Sequence, residues 1–261
     1  MAIEALILAL DGVIFDTEQA HLDACNAAFA ECGVALQWSL GQFREAARLH
    51  GASRAIVQAG RSMAPNVAAA LQEAAEAGFR RRLQAQPPAR HAGCTSLMEE
   101  AIASGCKLAV VTEMSSSCAD ALLQQAFGND VNNTFAVVVG GARFIGAAGA
   151  PQDDAHRLAM RTMAVDPEQC AAVDAAVPGL AAAQRAGIWT MASTPYARDV
   201  ARISGADLWC PQLQELRDLI GRQGVPADRR YVSFSTLRSL KHGQLGQRPV
   251  LRRPVQHRPA A

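Results

Sequence analysis

Asp11 and Gly12 end an apolar run, Ala5 to Leu10, and Asp16-Thr17-Glu18 and His21 follow closely behind. A near-continuous apolar stretch that stops at a turn reads as a buried parallel strand. In an open α/β sheet, ligands sit outside the carboxyl ends of such strands. Asp11 therefore stands at the mouth of a site, where a carboxylate can serve as a general base. Asp-Gly is also ordinary turn chemistry, and the alternative is a carboxylate that caps the strand-to-helix turn. A second apolar run, Lys107 to Thr112, leads into Ser115-Ser116-Ser117. Those serines can begin a helix whose first amides face an anion; a plain Thr/Ser N-cap is the alternative.

The elements that must hold these residues follow from periodicity. Thr17 to Cys32 reads as a helix, with Leu22, Cys25, Phe29 and Cys32 at helical spacing, Thr17 as N-cap and Gly33 as stop. From Val34 to about Gln86 the pattern stays helical: Ser39 opens one short helix, Gly51-Ala52-Ser53 another, and Pro65 begins a long Ala-rich one. Pro87-Pro88 ends that block. Strands are then expected at Lys107–Thr112, Phe135–Val139, Cys170–Asp174 and Ile188–Ala192. Helices are expected at Cys94–Ser104, Ser117–Phe127, Gln152–Met163, Gly179–Ala186 and Gln212–Gly221. Strands alternating with helices of this length argue for a doubly wound parallel α/β sheet. There is no internal repeat.

Half the 261 residues are apolar and 19% are charged, enough to bury a core. The net charge of +1 hides an asymmetry. Residues 223–261 carry eight Lys/Arg against Asp228 alone, while the first 222 carry 17 basic and 23 acidic groups. This tail is rich in Arg, Pro, Gly and Gln, so a mostly disordered extension is expected, with Tyr231–Leu240 able to order against the body. It offers a surface to an acidic partner; nucleic acid is not expected, because stacked aromatics and a recognisable motif are missing. Seven cysteines without C-x-x-C spacing read as reduced thiols, with Cys25 and Cys32 packing a core. The apolar start is too short for a signal peptide or membrane span, so a cytoplasmic protein is expected.

The stretch Ala9-Leu10-Asp11-Gly12-Val13 with Asp16-Thr17-Glu18 and His21 resembles the first motif of the haloacid dehalogenase (HAD) superfamily, in its CbbY-like and β-phosphoglucomutase branch. That motif reads Asp-x-Asp-Gly-Thr, followed by Asp-Thr-Glu-x-x-His. The resemblance covers residues 3 to about 221. It implies a Rossmann-like core from 1–16 and 87–222, a small all-helical cap domain inserted after strand 1 at 17–86, and a tail at 223–261. It also implies a Mg²⁺-dependent phosphatase of sugar phosphates, with xylulose bisphosphate as the branch's substrate. In such enzymes one carboxylate attacks phosphorus, a second acts as acid and base, Thr/Ser and Lys hold the phosphoryl oxygens, and later acids bind the metal.

Carried over residue by residue, the nucleophile position is Ala9, Asp11 is the acid/base, and Val13 replaces the usual Thr. Gly12, Thr112 and Ser115 are the phosphate-facing positions. The phosphate lysine falls on Ala150, in Ala150-Pro151-Gln152-Asp153-Asp154, and Arg143 upstream is a remote substitute. Asp174 takes the first acid of the metal pair and Ala175 the second, so Mg²⁺ is expected to bind weakly or not at all. In the cap, Glu18 and His21 match the branch pattern, and Arg54 after Gly51-Ala52-Ser53 stands near the branch's cap lysine. Exposed polar residues on the first helix are the alternative for Glu18 and His21. The expectation is a HAD fold that binds a phosphorylated small molecule with little or no turnover, an active Mg²⁺-dependent phosphatase being the alternative.

Overall fold

The computed structural model describes residues 2–140, 153–213 and 232–243. Strand β1 (Ala5–Leu8) is followed by four helices: α1 (Glu18–Glu31), α2 (Leu40–His50), α3 (Ala55–Gly60) and α4 (Pro65–Ala85). Then come α5 (Ala92–Ala103), β2 (Lys107–Val111), α6 (Ser116–Phe127), the short α7 (Val131–Thr134), β3 (Val137–Val139) and α8 (Asp153–Met163). The chain continues through β4 (Cys170–Asp174), α9 (Val177–Arg185), β5 (Trp189–Ala192), α10 (Ala197–Ser204), β6 (Leu208–Trp209) and α11 (Phe234–Lys241). All strand pairs are parallel, in the order β3-β2-β1-β4-β5-β6. The doubly wound sheet and the helical insert after its first strand are as the periodicity and the resemblance led one to expect.

β1 is central and every one of its residues is buried, because helices cover both faces of the sheet. Leu6 and Leu8 face one layer with Leu97, Leu108 and Val173, while Ala5 and Ile7 face the other with Met160, Met163 and Ile188. The insert has its own core of Leu22, Cys25, Phe29, Phe43, Ile56 and Leu71. Ser39 closes a capping box with Gln42 and so fixes where α2 begins. The two chain segments joining insert and sheet lie side by side. Asp16 N–H donates to Ala89 O at 2.9 Å, and His91 N–H donates to Ile14 O at 2.9 Å. Arg90 lies over the Phe127 ring, 5.3 Å from its centroid, which ties this double connection to the core.

The structure differs from the sequence reading in detail. β1 stops at Leu8 and not Leu10, because Ala9 begins a tight turn in which Ile14 N–H donates to Ala9 O and Phe15 N–H donates to Leu10 O. α10 and β6 extend the sheet beyond β5, where no elements were read. The helix expected at 212–221 lies outside the described residues apart from Gln212 and Leu213, which close a 3-10 turn from Pro211. Within the basic tail, α11 docks on α5. Val232, Phe234 and Leu237 are buried, Phe234 N–H donates to Glu100 Oε2 at 2.9 Å, and Lys241 Nζ donates to the carbonyls of Glu168 and Cys170. Among the described residues, no helix is long and apolar enough to cross a membrane.

Candidate functional site

The site residues gather at the carboxyl ends of β1, β2 and β4, under the insert. Asp11 sits in the turn after β1, and two side chains from the start of the insert hold its carboxylate. Thr17 Oγ1 donates to Asp11 Oδ1 at 2.7 Å, and His21 Nε2 lies 2.9 Å from the same oxygen. Burial works against the charged form of Asp11, but attraction to His21 and the two hydrogen bonds outweigh it and hold the carboxyl below its ordinary range. Thr17 occupies the N-cap position of α1 yet makes no capping hydrogen bond. Its hydroxyl is turned to the core carboxylate instead.

His21 is 5% exposed, which removes the alternative of a solvated polar residue on α1. Its ring is stacked on Phe79 with centroids 4.0 Å apart, so α4 sets the ring's orientation. Glu18, three residues earlier, points elsewhere: the Arg44 guanidinium donates to it through Nε and Nη2 at 2.7–3.0 Å. Glu18 is thus joined to α2 inside the insert, and the structure does not bring it to Asp11.

The residues of β2's end are placed as follows. Thr112 Oγ1 accepts from the Met114 amide at 3.2 Å, closing a local turn. Ser115 is the N-cap residue of α6, and its Oγ lies 3.4 Å from Ser117 Oγ. The Gly12 amide, expected from the sequence to face a phosphate, donates to Phe15 O at 2.9 Å and is already engaged. Gly12 has φ +70°, and the turn also passes close to the end of β4: a methyl there would come within 2.9 Å of the Ala175 β-carbon.

Asp174 ends β4 with its carboxylate turned into the start of α9. Oδ1 accepts from Ala176 N–H at 2.9 Å, and a methyl at Gly179 would overlap Oδ2. Burial pushes this carboxyl up to about 7, opposed by the amides of Ala176 and Ala175 and reinforced by the charge of Asp11. Ala9 and Ala175 bring no polar side-chain atom to the same edge. Among the described residues, no three His, Cys, Asp or Glu side chains are grouped to hold a metal ion. Ala150 and Arg143 lie outside the described residues.

Sequence reasoning missed Glu113. It follows Thr112, and its carboxyl reaches up to the insert, where a methyl on Gly51 would overlap Oε2. Gly51 has φ +86°, so glycine suits both the backbone and the contact. Burial pushes the Glu113 carboxyl up to about 8; Arg54 opposes this, while Asp174 and Asp11 add to it. A cavity of about 120 Å³ opens beside it, lined in part by Arg54, Ser53, Ser115, His21 and Phe79. The Ser53 hydroxyl is buried without a hydrogen-bond partner. A signal was available: Glu113 is a charged residue just past the carboxyl end of a buried parallel strand, which is where the crevice of such a sheet lies.

A parallel sheet of this order, a helical insert after its first strand and an aspartate at that strand's mouth define a class of hydrolase. A profile of haloacid dehalogenase-like hydrolases matches residues 3–187, and the chain belongs to that superfamily, in its CbbY-like branch. The protein CbbY of Cereibacter sphaeroides is 30% identical over 223 residues, 84% of this chain and 96% of that protein. The plasmid-encoded CbbY of Cupriavidus necator is 28% identical over 251 residues, 93% of this chain and 98% of that one. Among solved structures, CbbY from Rhodobacter sphaeroides in complex with phosphate aligns with a TM-score of 0.67 at 30% identity, over 80% of this chain and 93% of that chain. A mutant of that protein in complex with xylulose-(1,5)bisphosphate aligns at 0.68 and 29% identity, with the same coverage.

Proposed function

We propose that this cleft binds a phosphorylated small molecule, in the manner of its CbbY relatives, without carrying out phosphoryl transfer through an aspartyl intermediate. The observation that carries this reading is a contrast at one strand end. Asp11 keeps an ordered shell of Thr17 and His21, while the position two residues before it is Ala9. A carboxylate nucleophile is what splits phosphoryl transfer into two easier steps, and a methyl group cannot attack phosphorus. Asp11 itself is held from the insert side by both partners, an arrangement suited to exchanging a proton with a leaving oxygen.

The residues in place do not fit a Mg²⁺ ion. Octahedral oxygen ligation needs carboxylates at the ends of β1 and β4. Ala9 and Ala175 supply methyl groups, and Asp174 spends Oδ1 on the Ala176 amide. Thr112, Ser115 and Arg54 are the candidates for holding the ligand's phosphate, and His21 and Asp11 for facing its sugar side. None of the seven cysteines is in a disulfide, which suits the cytoplasm.

The second reading is an active Mg²⁺-dependent sugar-phosphate phosphatase. It is favoured by the relatives, since CbbY proteins match nearly the whole of their length, and one solved relative holds xylulose bisphosphate. Phosphate release from a sugar-phosphate panel that includes xylulose bisphosphate separates the two. The native chain is assayed beside an Ala9→Asp, Ala150→Lys, Ala175→Asp variant, both with Mg²⁺. Turnover by the restored variant alone supports binding without transfer. Turnover by the native chain at an ordinary enzymatic rate establishes the second reading and calls for another nucleophile.

A further inference from the structure

We propose that Glu113 is an internal occupant of the cleft: its carboxyl fills the space between the core and the cap loop Gly51–Arg54, and an anionic ligand binds beside Arg54 only when this side chain swings out. The inference rests on the reading of the cleft as a phosphate-binding site and names the residue that governs entry to it.

Three observations place Glu113 there. First, its Oε2 is packed so closely under Gly51 that no β-carbon fits at that position, so the side chain is a direct contact between the loop after β2 and the cap. Second, the groups that act on it come from three sides of the site: Arg54 from the cap loop, Asp174 from the end of β4, and Asp11 from the end of β1. Glu113 also stands just past the end of β2, which pairs in register with β1, so it lies at the same edge of the sheet as Asp11 and lines one cavity with Arg54 and His21. Third, Glu113 lines one cavity with Arg54, Ser53 and Ser115, and the Ser53 hydroxyl is buried without a hydrogen-bond partner. Buried polar groups are normally satisfied, so an unpartnered hydroxyl beside a cavity that a guanidinium-bearing residue lines marks a place for an oxygen-rich group.

The carboxyl does not serve there as a fixed ion-pair partner. Burial and the two aspartates hold it toward its neutral form, up to about 8. Its hold on the site is therefore occupancy more than charge, and this separates two substitutions. Glu113→Gln keeps the size and the neutral character, and so keeps the block. Glu113→Ala, or Glu113→Ser as a second variant against loss of folding, empties the space and leaves Arg54 facing it.

The test is calorimetric titration of inorganic phosphate into the full-length native chain and these variants, with thermal unfolding as the check on folding. Glu113→Ala and Glu113→Ser are expected to bind phosphate about tenfold or more tightly than the native chain, and Glu113→Gln within about threefold of it. Adding Arg54→Ala to Glu113→Ala should abolish the gain. The inference is overturned if the emptied variants bind phosphate no more tightly than the native chain, including the case in which none binds it, or if Glu113→Gln gains as much as Glu113→Ala. Failure here is distinct from failure of the phosphatase-derived pocket, which is read by turnover of the restored variant and not by phosphate affinity.

Discussion

His21 sets its Nε2 2.9 Å from Oδ1 of Asp11 while its ring lies stacked on Phe79, so one imidazole joins a core carboxylate to the aromatic face of the cap. Thr17 reaches the same oxygen from the start of the same helix. Two cap residues thereby decide both where Asp11 points and how readily it ionises. Any change that lifts the cap also frees Asp11.

Removing that imidazole should therefore be felt in the acid limb of stability. Asp11 is held below the 3.8 of an unperturbed aspartate, so its contribution is complete above that value and is lost as pH falls through its folded pKa. His21→Ala removes the main group that lowers it and leaves Phe79 without its stacking partner. The expected cost near neutral pH is about 2–3 kcal/mol by chemical denaturation, shrinking toward low pH. An equal cost at every pH would mean that packing on Phe79, and not the carboxylate, is what His21 supplies.

Glu113 predicts the opposite slope. Its carboxyl is raised from 4.5 to about 8, so the folded state favours the neutral form. That stabilisation is complete below the unfolded value and is lost as pH rises through about 8. Glu113→Gln cannot ionise and should be more stable than the native chain at about pH 9, by roughly 1 kcal/mol or more, with the difference closing by about pH 5. Asp174, raised from 3.8 to about 7, adds a slope of the same sign to both proteins, and its repulsion of Glu113 widens the difference only where both carboxyls ionise. Urea midpoints across that range read the difference directly.

The basic tail is more than a solvated extension, and Phe234 measures how much. It is 2% exposed, against the core cluster that includes Leu97 and Leu237, and its amide is bonded to Glu100. Phe234→Ala should lower stability by about 3 kcal/mol, the usual cost of emptying a buried aromatic position. If the melting temperature is unchanged, α11 detaches readily and contributes nothing to the core.

What the sequence could and could not disclose divides along physical lines. β1, β2, β4 and β5 are buried on both faces, so each announces itself as an apolar run, and the helices between them follow from spacing. β6 has two residues, too few for any period, and α10 has only eight, so that Ala197, Val200 and Ala201 on its buried face make barely two turns of helical spacing. Asp11 was legible because a strand end is a local feature. Its partners were less so: Thr17 has the sequence of an N-cap, and only the packing of α1 over the sheet shows its hydroxyl turned to Asp11. Glu113 acquires its meaning from Gly51, sixty-two positions away, and no local pattern connects the two.

Gly12 offers a last test of how tightly the floor of the site is built. Its φ of +70° suits glycine, and a β-carbon there would approach that of Ala175 to 2.9 Å. Gly12→Ala therefore meets two separate penalties, one from the backbone and one from the neighbour, together about 2 kcal/mol. The Ala175→Gly change removes the neighbour's methyl and leaves the backbone penalty in place. In a double-mutant cycle the two substitutions should couple favourably by about 1 kcal/mol, measured by denaturant unfolding. Strict additivity would mean that the turn after β1 can shift away from β4 at no cost. A turn that loose would also let Asp11 drift from Thr17 and His21, and the ordered carboxylate at the centre of the proposed site would lose its basis.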